Sequence, residues 1–474
     1  MASFMIAVGG TGQMMALSYA RLMSLMPWLP TARMYHLDRD TIEHYTDSVD
    51  STFIDPLPQG AGATVGTHFT EPSNREFCEN VLDALFTARE QSTPVGQGMY
   101  GRPPVGAAMI VDSLSRPASG SFDELFDGSP ESTNAYLRDG MTHTVIVCGS
   151  AMGGTGAGGV PTIAHEINRA LKSTSHRDNV KLYILYFLQH FSLRPVAVDQ
   201  GMADHEIIHN EQIAVNAKSG MSFLADKIVD GTNGCVLFGL GVPPSRTHEA
   251  VGKQTEQSEP LHVLAAAYAQ SLFDGGRLAR LHNAHAIEVV QMPQGRKVAT
   301  DLGIGIALGE GRSVSLERVI QLNVAVARYL SRLSRLFDGG LGFAFVPPMP
   351  KDIEKILTRL TRLTKNRRET IQRAVSTKLT EEAQRIHTTV RRYEALTKDI
   401  VPFSIDLQCE LDGDGYQQSL HRPMAFIRAA TRGLRNLEAE QLDYDTVSDA
   451  IVSALFRSLD NRYFNGEFGL AGEH

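Results

Sequence analysis

At 474 residues the chain exceeds what one hydrophobic core usually supports, so two domains, or one with large additions, are expected. Apolar residues make up 42% and charged residues 21%, near the averages for soluble globular proteins. The 45 basic against 53 acidic side chains give −8, which excludes a surface built throughout to hold nucleic acid but leaves room for a local basic patch.

Four cysteines, Cys78, Cys148, Cys235 and Cys409, lie far apart with no CxxC pair, which suggests neither a disulfide framework nor a zinc site. No stretch approaches the ~18–20 continuous apolar residues of a membrane span, and the first residues carry no basic leader. A soluble protein of a reducing cytoplasm is expected.

In chain order, Phe4 to Val8 reads as a buried strand ending at Gly9, followed by a helix over 13–26 that Pro27 and Pro30 stop. Met34 to Leu37 is a second strand, with Asp38 and Asp40 beyond its end. Residues 41–97 are turn-rich and read as surface loops around one helix near 75–90. Thr144 to Cys148 is the clearest strand, and Val160 to Leu171 the helix after its Gly-rich turn, with Pro161 in the first turn. Lys181 to Leu188 is another strand, then come a helix over about 206–229, a strand at Cys235 to Phe238 and a helix over 259–273. Strands alternating with helices imply a parallel sheet whose loops gather at one edge, where open α/β folds bind ligands. After a Gly-rich segment at 302–311, a helix is expected over 316–337. From Lys351 to Lys398 apolar residues recur at helical spacing, and the segment carries 13 Lys or Arg against 6 Asp or Glu.

Three glycine loops carry chemistry. Backbone amides close around an anion only where no Cβ intrudes, which is why phosphate-binding loops are glycine-rich. Gly149 to Gly159 lies between the best strand and a helix whose N-terminus would add its positive dipole end. No Gly-Lys-Ser/Thr follows, so this is not a Walker A loop. Gly9-Gly10-Thr11-Gly12-Gln13 follows the first strand, and as a dinucleotide fingerprint it lacks the third glycine, since Met15 stands there. The third loop is Gly98-Met99-Tyr100-Gly101-Arg102-Pro103-Pro104-Val105-Gly106.

In order and distance these loops resemble those of the tubulin/FtsZ superfamily of GTPases, in a divergent prokaryotic form. The superfamily signature G-G-G-T-G-[ST]-G is matched at five of seven positions by Met152-Gly153-Gly154-Thr155-Gly156-Ala157-Gly158, the departures being Met152 and Ala157. The resemblance covers roughly residues 4–330. It implies an α/β fold with a Rossmann-like parallel-sheet GTP-binding domain at 1–258, a central helix at 259–273, a second α+β activation-type domain at 274–345, and long helical additions in a mainly helical region at 346–474.

By the same resemblance, GTP or GDP, with Mg2+, would be held by Gly10, Thr11, Gly12 and Gln13, by Gly101 and Arg102, and by Gly153, Gly154, Thr155, Gly156 and Ala157. Asp40 would lie near the phosphates and the metal, though a helix cap is an equal reading of it. Asn210 and Asn216 are candidates for the base. Hydrolysis would be completed in trans by a loop after the central helix, here Asn283, His285 and Glu288, where His285 replaces the family's aspartate; a surface helix carrying Glu288 is the plain alternative. The implied partner is the chain itself, head-to-tail, which yields a filament if the rotation does not close. The basic helix at 351–398 most simply means solvation, or else an acidic partner, a filament neighbour or, less so, nucleic acid; for the chain as a whole no nucleic acid is expected. A nucleotide-dependent scaffold that hydrolyses GTP poorly is the second reading, and a NAD enzyme a disfavoured third.

Overall fold

The computed structural model describes residues 3–26, 29, 31–38, 51–54, 64–70, 83–94, 99, 101–115, 143–172, 179–190, 192–193, 210–228, 233–238, 247–248, 260–273, 287–290, 306–309, 312–314, 316–338, 351–397 and 446–458. The chain divides into two compact units: Met1–Ala20 with Thr31–Gln294, and Arg21–Pro30 with Gly295–His474.

The first unit is a mixed α/β fold around a parallel sheet with helices on both faces, a Rossmann-like arrangement. Its elements are β1 (Ser3–Val8), α1 (Gly9–Ser24, whose last turn groups with the second unit), β2 (Arg33–Leu37), β3 (Ser51–Ile54), α2 (Val65–Thr70), α3 (Ala88–Gln91), α4 (Pro103–Ser115), β4 (His143–Ser150) and α5 (Gly154–Lys172). There follow β5 (Val180–Phe187), β6 (Ser192–Leu193), α6 (Asn210–Lys227), β7 (Asn233–Phe238), β8 (Thr247–His248), α7 (Pro260–Phe273) and β9 (Ile287–Val290). Seven strands run in the order β3-β2-β1-β4-β5-β7-β9, each neighbouring pair parallel, while β6 and β8 form a small separate pair.

All eight residues of β4 are buried, as are nearly all of β5, and such continuous apolar runs belong to strands covered on both faces. Alternation sorts their side chains. Ile6, Val8, Val147, Ile184 and Tyr186 share one core with Met109 and Ile110 of α4, Ile163 and Ile167 of α5 and Leu224 of α6. On the opposite face Gly12 of α1 lies against the Cys148 carbonyl, and the Phe187 ring sits 5.4 Å from that of His262 in α7. Tyr19 ties α1 to α7: its hydroxyl donates to Gln270 Oε1 at 3.1 Å and accepts from the Ala32 amide. Each side chain fully buried this way contributes ~1.5–3 kcal/mol.

In the second unit β10 (Ile306–Gly309) and β11 (Arg312–Val314) form an antiparallel hairpin. The helices are α8 (Leu316–Phe337), α9 (Lys351–Thr361), α10 (Lys365–Thr397) and α11 (Val447–Ser458). The long α10 packs along α8, burying Val375, Leu379, Ala383, Ile386 and Val390, a stripe at spacings of three and four. Thr380 Oγ1 donates to Ser334 Oγ of α8 at 3.0 Å, and α11 lays Val447, Ile451 and Leu455 into the same core.

Several elements differ from the sequence reading. Helices α1 and α5 begin on their glycines, at Gly9 and Gly154, and not at the first apolar residue, so Pro161 lies about two turns inside α5. The first compact unit runs through Gln294 and includes β9, which pairs with β7. The expected helix over 351–398 is two helices with a turn at Arg362-Leu363-Thr364. Among the described residues no helix is long and apolar enough to cross a membrane.

Candidate functional site

Strand order reverses at β1 and β4, since the chain runs from β1 outward through β2 and β3 and resumes on the other side with β4. The carboxyl ends of two such strands leave a crevice between their loops. Three helix first turns meet here. The turn from β1 into α1 passes through Gly9 at φ +73°, a left-handed conformation glycine adopts without strain. A Cβ on Gly9 would stand 3.0 Å from the Gly156 amide nitrogen and 3.4 Å from Thr155 Cβ, so α1 starts against the first turn of α5. The first turn of α4 arrives from the other side: a Cβ on Gly158 would meet the Pro103 carbonyl oxygen at 2.3 Å, one on Gly106 the Gly154 oxygen at 2.3 Å, and one on Gly154 the Met99 oxygen at 2.6 Å.

Most of these glycines are thereby explained by backbone packing alone. Gly153 is different. A Cβ there would meet nothing within 4 Å, and its φ lies outside the left-handed region. Its carbonyl accepts the first bond of α5 from the Ala157 amide at 3.0 Å, so it caps the helix, and neither packing nor conformation requires glycine. Just before it the chain is pinned. The Ala151 amide donates to the Phe187 carbonyl at 2.9 Å and the Met152 amide to Ser150 Oγ at 2.9 Å. First-turn amides have no partner within their helix, and those of α1 and α5 lie side by side where Gly9 meets Thr155 and Gly156; α4 opens on Pro103 and Pro104, which carry no amide proton, and packs against α5 without adding such donors.

Gly10, Thr11, Gly12 and Gln13 all lie in the first turns of α1; Thr11 and Gln13 are buried, and Gly12 is held against the Cys148 carbonyl, where a Cβ would stand at 2.7 Å. Gly153, Gly154, Thr155, Gly156 and Ala157 form the start of α5. Gly101 adopts φ +66°, and its carbonyl accepts from Asn216 Nδ2 at 3.1 Å and Gln212 Nε2 at 3.3 Å. The candidate base residue Asn216 therefore reaches the third loop and braces it. Arg102 is buried and turned elsewhere: its guanidinium donates to Thr93 Oγ1 and the Arg89 carbonyl. Burial, and then the charge of Arg89, lower its pKa.

Asp40, Asn283 and His285 lie outside the described residues, as does the side chain of Asn210, whose backbone opens α6. Glu288 belongs to β9, opposite Val236, in the register row of Ala7, Cys148 and Leu185. It occupies neither a loop nor a surface helix. Three strand spacings, about 14 Å, separate the β9 backbone from β4. Among the described residues no three of His, Cys, Asp and Glu gather as a metal site. Cys148 and Cys235 are free and buried, and burial pushes the Cys235 thiol up to about 12.

Sequence reasoning placed Met99 and Ser150 within their loops but gave neither a role: the Met99 carbonyl presses on Gly154 and the Ser150 hydroxyl fixes Met152. Neither residue type signals such a role. The positive φ of Gly9 was legible in principle, as a glycine closing a buried strand. No protein-family model matches the chain, and no curated protein or solved structure matches it.

Proposed function

We propose that the crevice between β1 and β4 binds the phosphates of GTP or GDP in the manner of the tubulin/FtsZ superfamily, and that the chain assembles head-to-tail with hydrolysis completed at the subunit contact. The observation that carries the binding reading is Gly153, open on its Cβ side at the start of α5, whose first turn lies beside that of α1. In this reading the amides of Gly10 to Gly12 and Gly154 to Gly156 would donate to phosphate oxygens, and the hydroxyl of Thr155, beside Gly9, would add a bond. A magnesium ion would screen phosphate charge, and Asp40, just beyond β2, is its proposed ligand. Asn216, through Gly101, would hold the third loop in place.

A second reading, a nucleotide-dependent scaffold with slow hydrolysis, is favoured by one observation: the backbone at Glu288 is part of the β9 ladder, whereas a residue acting in trans should project from a loop. Phosphate release from GTP, measured across protein concentrations alongside sedimentation, separates the two. A rate per molecule that rises with concentration, and that Glu288→Ala lowers roughly 10²–10⁴-fold without loss of binding, supports the assembling hydrolase. Bound GTP with no turnover in either protein replaces it with the scaffold. Absence of bound GTP and GDP refutes both.

A further inference from the structure

The turn joining α9 to α10 carries a concentration of positive charge that the proposed nucleotide site does not use. Arg362, Lys365, Arg367, Arg368 and Arg373 fall within twelve residues, and Glu369 is the sole acid between 355 and 373. Four of the five cations are exposed and Arg368 is half-buried. Some cations elsewhere are matched, as Arg385 bonds Glu382, Arg169 bonds Glu166 and Lys378 approaches Asp449, while Lys181, Lys218 and Arg335 stand singly and not in a cluster. None of the five at the corner makes a side-chain hydrogen bond or ion pair among the described residues. Three of them, Lys365, Arg367 and Arg368, sit in the first turn and a half of α10, whose opening turn holds no acid. Cations there oppose the positive end of the helix dipole, so this arrangement works against the helix that bears it. Between them stand Thr364, Asn366, Thr370 and Gln372, side chains of the kinds that commonly bond phosphate oxygens, although the Thr370 hydroxyl here donates to the Asn366 carbonyl.

We propose that this corner binds the phosphate backbone of a nucleic-acid duplex without sequence preference. The composition decides among polyanions. A single strand would need aromatic platforms, and residues 355–373 hold no Phe, Tyr or Trp. An acidic protein would need an apolar anchor at the centre of its contact, yet among the described residues the exposed large apolar side chains, Phe53, Leu85, Val111, Val215 and Phe223, all lie outside the corner. An anionic membrane would need an apolar helix face to enter it, and Ile356, Leu360, Val375 and Leu379 are spent in the core. A dense row of phosphates needs none of these. The net charge of −8 does not forbid it, because at physiological salt screening acts over about 8 Å and the duplex responds to the local cations. The charge balance that weighed against nucleic acid for the surface as a whole does not extend to this corner.

The test is fluorescence anisotropy of a labelled DNA duplex of about 25 base pairs, in two unrelated sequences, titrated with the full chain. Both should bind alike at low salt. With four or five phosphates neutralised, affinity should fall roughly 150- to 500-fold between about 50 and 200 mM salt. The triple variant Arg362→Glu, Lys365→Glu, Arg367→Glu should lose binding while its melting temperature holds or rises, since two of the new acids favour the helix N-terminus. If that variant fails to fold, the three glutamine substitutions at the same positions serve instead and should weaken binding at least tenfold. No binding at low salt, a folded variant that binds like the parent, or preferential binding of polyglutamate or of vesicles rich in anionic phospholipid would each overturn the proposal.

Discussion

Gly153→Ala separates a glycine kept for a ligand from one kept for packing. The added Cβ meets nothing within 4 Å and the backbone is not left-handed, so no clash arises in the protein alone. Alanine is a poorer helix cap than glycine by roughly 0.5–1 kcal/mol, and it restricts the unfolded chain by about 0.4–1 kcal/mol in the opposite sense. The two cancel to within about 1 kcal/mol. Gly158→Ala is the contrasting case, because its Cβ would stand 2.3 Å from the Pro103 oxygen and 2.7 Å from the Ala107 nitrogen, both backbone atoms that cannot swing aside. Such overpacking costs about 1–3 kcal/mol or more. With phosphates in the crevice the order reverses in importance: a methyl at Gly153 displaces an oxygen from at least one charge-assisted bond, about 1.5–3 kcal/mol, or ten- to over a hundredfold in affinity. Urea denaturation without nucleotide, and titration with labelled GTP, read the two quantities separately. Gly153→Ala binding GTP with unchanged affinity, or losing as much stability as Gly158→Ala, would refute the reasoning.

Thr155→Ala should weaken GTP and GDP binding about ten- to a hundredfold, the cost of one hydrogen bond to a charged phosphate, with little change in denaturation midpoint. His36, buried and stacked on Phe53 with ring centroids 4.6 Å apart, has its pKa pushed down to about 3 by desolvation. The unfolded chain binds a proton near pH 6.5 and the folded chain does not until about pH 3, so stability is lost as pH falls through that window. Between pH 7 and 5 the loss from this residue is about 2 kcal/mol, and His36→Gln should show a correspondingly flatter profile in urea denaturation. Leu379→Ala, which empties the contact between α10 and α8, should cost about 2–5 kcal/mol by the same assay.

Sequence reading reached the sheet through its continuous apolar runs: β1, β4 and β5 lie within two residues of where periodicity put them, and α8 spans the predicted 316–337. It reached the glycine loops but not their division of labour. That Gly158 abuts Pro103 while Gly153 faces open space depends on how α4 and α5 dock, which local sequence does not encode. The starts of α1 and α5 were placed late because glycines in a first turn give no apolar signal. The strand β9, Ile-Glu-Val-Val, is four residues long and interrupted by a charge, too short for alternation to register. Arg102 shows the limit of reading a side chain from its loop, since the guanidinium follows Thr93 and the Arg89 carbonyl.

Binding of guanine nucleotide at the Gly153 crevice is tested most directly by isothermal titration of the purified chain with GTP and with GDP, beside ATP and NAD, in the parent and in Gly153→Val. The prediction is one saturable site per chain for GTP and GDP, weak or no binding of ATP and NAD, and loss of the site in a Gly153→Val protein that remains folded. No binding of either guanine nucleotide, binding of NAD in their place, or equal GTP affinity in Gly153→Val would contradict it.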